Sequence, residues 1–77
     1  MHKYCTDVVI HIDEDLADAA IHALERDLGE MPGVYSACVN DGARHLMLVD
    51  YDPEGVQAGQ LLDQVRRHGV GAELVGL

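Results

Sequence analysis

The chain contains no phenylalanine and no tryptophan, and its aromatic residues are Tyr4, Tyr35 and Tyr51. A core must therefore be assembled from Val, Leu, Ile, Ala and Met, and the stacked aromatic platform that grips single-stranded nucleic acid is missing. Basic residues are few: 5 Lys and Arg stand against 14 Asp and Glu, a net charge of −9 with neutral histidines. That balance argues against binding a phosphate backbone, which needs a basic surface, and against an anionic membrane surface. No run approaches the ~18 apolar residues of a transmembrane helix. The opening MHKYCTDVVIHIDED meets acids too early for the apolar stretch of a secretion signal, so a cytoplasmic protein is expected. Only Cys5 and Cys38 carry thiols, which favours reduced cysteines over a disulfide framework. Ser36 is the one serine, and no Ser-His or Cys-His arrangement, G-x-S-x-G or phosphate-cradling glycine loop accompanies it. An enzyme is not expected.

What is present reads as one small folded unit over residues 1–77, with 48% hydrophobic and 25% charged residues. Val8, Ile10 and Ile12 alternate with Val9 and His11, the pattern of a strand from Asp7 to Ile12. Ala17, Ala20, Ile21, Leu24, Leu28 and Met31 then recur at spacings of three and four, the stripe of an amphipathic helix. Asp15 is the expected N-cap, and Pro32-Gly33 the stop. A second strand runs from Val34 to Asn40, with Tyr35, Ala37 and Val39 on one face. Asn40-Asp41-Gly42 tolerates positive φ and predicts a hairpin into a third strand, Leu46 to Tyr51. A second helix from about Ala58 to His68 buries Leu61, Leu62 and Val65, and Gly69 ends it in a left-handed cap. Val70 to Val75 is the fourth strand. The order βαββαβ has one compact solution, the α+β ferredoxin-like sandwich: a four-stranded antiparallel sheet with both helices on one face. That fold hosts many functions and names none.

The segments VVIHID, MPGV, VDYDPEGV and LLDQVRRHGV, in this order and around a helix of this length, resemble the heavy-metal-associated domain of copper chaperones and metal-transporting P-type ATPases. The resemblance covers roughly residues 7–74. It implies the same fold and a loop after the first strand that carries G-M-x-C-x-x-C, whose cysteines bind Cu(I) or a similar soft ion. Counted back from Pro32-Gly33-Val34, the two cysteine positions fall on Ala17 and Ala20, and the glycine and methionine on Glu14 and Asp15. Cu(I) selects thiolate and thioether donors, so the resemblance carries the fold and withdraws the activity. Cys5 precedes the first strand and Cys38 sits in the second, with the third strand between them. The pair is too far apart for a disulfide, and either thiol alone is at most a single metal donor or a link between chains.

Three candidate sites remain. Asp13, Glu14, Asp15 and Asp18 crowd the start of the first helix, where acids complement the helix dipole; Ca²⁺ or Mg²⁺ would need six or more oxygens in a shaped loop. His2, His11, His22, His45 and His68 are dispersed, with His22 expected in solvent. His68, ending the second helix, is placed at the same end of the molecule as the acidic loop. A Zn²⁺ or Ni²⁺ site from Asp13, Asp15 and His68 is the metal-carrier alternative, and otherwise no cofactor is expected. The third candidate is the open face of the sheet. If Val8, Ile10, Ile12, Met47, Val49 and Tyr51 face the helices, the opposite parity presents Val9, His11, Cys38, Leu46, Leu48, Asp50, Glu73 and Val75. An apolar patch flanked by acids on a face that is ordinarily polar marks an interaction surface. The expected occupant is a protein with a basic patch, a second copy of the chain, or both. The function these readings favour is a small binding or adaptor module of the heavy-metal-associated type, without the thiol site and without nucleic-acid or membrane partners.

Overall fold

The computed structural model describes residues 5–75. Along the chain come β1 (Thr6–Ile12), α1 (Asp18–Gly29), β2 (Val34–Asn40), β3 (Ala43–Tyr51), α2 (Ala58–Arg66) and β4 (Ala72–Val75). The strands form one sheet in the order β2-β3-β1-β4 with every neighbouring pair antiparallel, which is the ferredoxin-like arrangement expected from βαββαβ. Period-two alternation sends Val8, Ile10, Ile12, Met47, Val49 and Tyr51 into one face, and all six are buried. Against them α1 sets Ile21, Leu24 and Leu28 and α2 sets Leu61 and Val65. Ile10, Leu28, Met47, Val49, Leu61 and Val65 are fully enclosed, so a largely aliphatic core fills the space, with Tyr51 as the one aromatic ring among the described core residues.

The first helix starts later than its apolar stripe suggests. Ala17 is the N-cap, extended at φ −67° and ψ 158° and with no side-chain cap bond. Asp15 does not cap, because its carboxylate is taken by His45 on β3, whose Nε2 lies 2.8 Å away. Ala17 and Ala20 are exposed and fall outside the buried stripe; Leu16, ahead of the helix, packs on the core. Of the four acids near this end only Asp18 lies in the first helical turn, and it accepts from the Arg44 guanidinium at 2.7 Å.

The second helix is shorter than read from the sequence, ending at Arg66, and carries a capping box that the reading missed. The Gln57 side chain receives the Gln60 N–H, and Gln60 Oε1 receives the Gln57 N–H at 2.8 Å. Gly69 adopts φ +81° as expected after the helix. Asp27 of α1 ties the first helix to the second: Gln64 Nε2 of α2 and His68 Nε2, just past its end, both meet Asp27 Oδ2, at 2.7 Å each.

Two departures in β2 and β3 share one cause, the register. A shift between Val34 and Ser36 turns Val34 toward the core and leaves Tyr35 exposed, where strict alternation had put Tyr35 inside. β3 begins at Ala43, three residues before the apolar run, because pairing resumes directly after the turn with Asn40 opposite Ala43. That turn needs no positive φ. The Asn40 side chain accepts the Gly42 N–H at 2.7 Å and closes it. Positive φ belongs instead to Gly33, at +90°. A Cβ there would meet the Val56 side chain at 3.1 Å and the Gly55 backbone at 3.2 Å, and the Gly33 carbonyl accepts the Asp52 N–H at 2.7 Å. The MPGV and DPEGV segments are thus the two halves of one close backbone contact.

Candidate functional site

The outward face of the sheet is built in rows, because antiparallel register places residues of equal parity opposite one another. Cys38 opposes Leu48, Leu48 opposes Val9, and Val9 opposes Val75. One apolar row therefore crosses all four strands. Leu48 is 44% and Val75 40% exposed, Cys38 is exposed, and Val9 is half-buried among them. On one side of this row Asp50 stands directly opposite Asp7, with Ser36 next in line and its hydroxyl donating to Asp50 Oδ2 at 3.0 Å. On the other side His11 stands opposite both Leu46 and Glu73. The six residues expected on this face, Val9, His11, Cys38, Leu46, Leu48 and Val75, occupy adjoining positions on it.

The β1–α1 end carries a second concentration of chemistry. His11 Nδ1 lies 3.1 Å from Asp13 Oδ1, and one donor atom each from His11, Asp13 and Glu73 fall within 4.8 Å of one another. The His45 ring stacks against His11, with centroids 5.8 Å apart and planes 16° from parallel. His45 Nδ1 meets the Ile12 carbonyl at 2.6 Å and its Nε2 meets Asp15. Both partners are acceptors, so both ring nitrogens donate when the imidazole is protonated. The Ile12 carbonyl first, and Asp15 after it, hold the His45 pKa above the ordinary histidine value.

The acids of this end are shared out among separate partners. Asp13 meets His11, Asp15 meets His45, Asp18 meets Arg44, and Glu14 Oε1 accepts the Gly71 N–H at 2.9 Å. His68 bonds Asp27 on α1, so the grouping of Asp13, Asp15 and His68 is replaced by three distinct imidazole–carboxylate contacts. Asp27 is held below the usual carboxylate range, chiefly by the Gln64 hydrogen bond and then by His68. The sequence reading missed Glu73 as a partner of Asp13 and His45 as a neighbour of His11; only cross-strand register could have joined them.

Soft-metal chemistry finds no donors at this end. Residues 13–20, DEDLADAA, contain no sulfur. Cys5 and Cys38 are free and exposed, and Cys38 lies on β2, separated from β1 by β3. Residues 13–20 therefore supply none of the thiolate or thioether ligands that Cu(I) selects.

No protein-family profile and no curated protein matches the chain. Solved structures do. The N-terminal domain of a potential copper-translocating P-type ATPase from Bacillus subtilis, in its Cu(I)-loaded state, superimposes with a TM-score of 0.84 at 25% identity, over 94% of this chain and 89% of that one. The apo copper chaperone of Enterococcus hirae gives 0.79 at 19% identity, over 88% and 98%. A putative copper-ion-binding protein from Bacillus anthracis gives 0.82 at 14% identity, over 94% and 100%. The match of architecture over nearly the whole length establishes that the chain has the ferredoxin-like α+β fold of heavy-metal-associated domains.

Proposed function

We propose that the protein is a small heavy-metal-associated-like module without the Cys-x-x-Cys metal pair, working by protein contact through the open face of its sheet. The apolar row Cys38–Leu48–Val9–Val75 is the observation that carries this reading. An open antiparallel face is ordinarily polar, and a row spanning four strands is a different feature from a scattered surface aliphatic. The partner is a protein that presents an apolar strip bordered by Lys or Arg. Asp7 and Asp50 face each other directly, an unfavourable like-charge pair that a cationic group laid beside it would relieve. The net charge of −9 steers such a surface in and repels nucleic acid and anionic membranes. Two free, exposed thiols suit a reducing, cytoplasmic setting. The neighbours in fold are described as copper-binding domains and chaperones, which favours binding over catalysis.

Each aliphatic side chain of the row contributes about 1.5–3 kcal/mol when fully buried, before association costs. The test immobilises wild type and Leu48→Lys, purifies the protein that wild type alone retains, and measures its association rate against salt. The rate should fall as the Debye length shrinks from about 30 to about 8 Å. Retention by both forms, or a rate indifferent to salt, overturns the reading. A concentration-dependent dimer that Leu48→Lys abolishes would assign the face to a second copy instead.

A further inference from the structure

We propose that His11, Asp13 and Glu73 form a site for a borderline divalent cation of the Zn²⁺ class, on the open face at the C-terminal end of β1. The three residues come from two neighbouring strands and the loop that follows one of them. Register places His11 directly opposite Glu73, and Asp13 follows two positions on, its N–H donating to the Gly71 carbonyl at 2.8 Å. The donor atoms lie within 4.8 Å of one another, whereas donors at about 2.1 Å from a tetrahedral ion stand about 3.4 Å apart. Small side-chain rotations close that gap.

Two features outside the triad hold it in this form. A Cβ on residue 71 would lie 2.5 Å from Asp13 Oδ2, so the absence of a side chain on Gly71 makes room for the carboxylate. The His45 ring, stacked on His11 and tied at both nitrogens to the Ile12 carbonyl and Asp15, supports the imidazole plane from behind. His11 and Asp13 keep side-chain exposures of 39% and 58%, so a hydrated ion reaches them. One nitrogen and two carboxylates give a neutral complex with a divalent ion. The donor set is too small and too nitrogenous for Ca²⁺ or Mg²⁺, and it lacks the sulfur that Cu(I) selects. Water completes the coordination shell.

The experiment is calorimetric titration of the tag-free 77-residue chain with ZnCl₂ in a non-chelating buffer, with ¹H–¹⁵N correlation of the histidine rings alongside. Saturable binding of one ion per chain is expected, with His11 the most perturbed ring. His11→Gln and Glu73→Gln should each weaken it at least about tenfold, the scale on which even outer partners of a metal site act. Gly71→Ala should weaken it as well, by displacing Asp13. His22→Gln, His68→Gln and Leu48→Lys should leave affinity within about twofold, so the site stands or falls separately from docking on the apolar row. Unchanged circular dichroism confirms that the variants fold; if one does not, Asp13→Asn takes its place. No saturable binding at millimolar Zn²⁺ overturns the proposal. So does binding that survives His11→Gln and Glu73→Gln.

Discussion

The two faces of the sheet differ by one residue step along each strand and by what covers them. Ile10 and Met47, opposite each other, are 0% exposed beneath the helices, whereas the next pair along, Val9 and Leu48, looks outward with Leu48 44% exposed. Both pairs are aliphatic, both sit on the same central strands, and only one is covered by the chain's own helices. Side chains of the same kind therefore serve two ends. Under the helices they hold the fold, and on the open face they contribute little to it and are left for another surface.

Deleting volume on the covered face should produce the largest effect. Leu61→Ala leaves a cavity at a fully enclosed position and should cost about 2–5 kcal/mol in urea denaturation. Leu48→Ala should stay within about 0.5 kcal/mol. Equal losses would break the contrast between the faces.

Next comes the joint that closes the covered side. Gly33→Ala must hold a Cβ at φ +90° and press Val56 at 3.1 Å. A loss of roughly 1–2 kcal/mol is expected from the left-handed backbone alone. Gly59→Ala, in helix α2 where an added Cβ meets nothing within 4 Å, should instead be stabilising by up to about 1 kcal/mol.

A smaller effect depends on pH. Asp27, bridging α1 and α2, has its pKa lowered by Gln64 and His68, so the folded state binds its proton less readily than the unfolded chain. The resulting stability is complete above the unfolded carboxylate pKa of about 3.9 and disappears as pH falls through the folded value. Asp27→Asn should lower stability at neutral pH and flatten its decline below about pH 4, measured as denaturation midpoints across an acid series. An unaltered acid limb would remove this bridge from the account.

Leu48→Lys should change stability least, within about 0.5 kcal/mol, while abolishing docking. If it unfolds the protein, the open face is structural after all, and the distinction between the two faces collapses.

Much of the architecture was legible because local chemistry and tertiary packing agree. Val8, Ile10 and Ile12 spell a half-buried strand, and Leu61 with Val65 a buried helical stripe, whatever surrounds them. β2 was bounded as expected from Val34 to Asn40. The errors cluster where a side chain had a distant alternative. Asp15 is a good N-cap by type, yet His45, thirty positions away in sequence, takes its carboxylate. Tyr35 has the right parity for the core, yet a register shift at its own position puts it outside. His68 looks like a companion to the acidic loop, yet Asp27 holds it.

The sequence by itself determined the order of elements, the parity that divides each strand between two faces, the surplus of acid, and the want of sulfur in residues 13–20. All of these are local or compositional, so no partner could change them. Only the tertiary structure decided which residues meet across strands. Cys38, Leu48, Val9 and Val75 become a row, and His11, Asp13 and Glu73 a cluster, because the order β2-β3-β1-β4 and one register set them side by side. A shift of a single residue in any pairing would turn one strand's outward side chains inward. That choice is made by burial of the opposite face, where the helices and the fully enclosed aliphatic core admit one alignment.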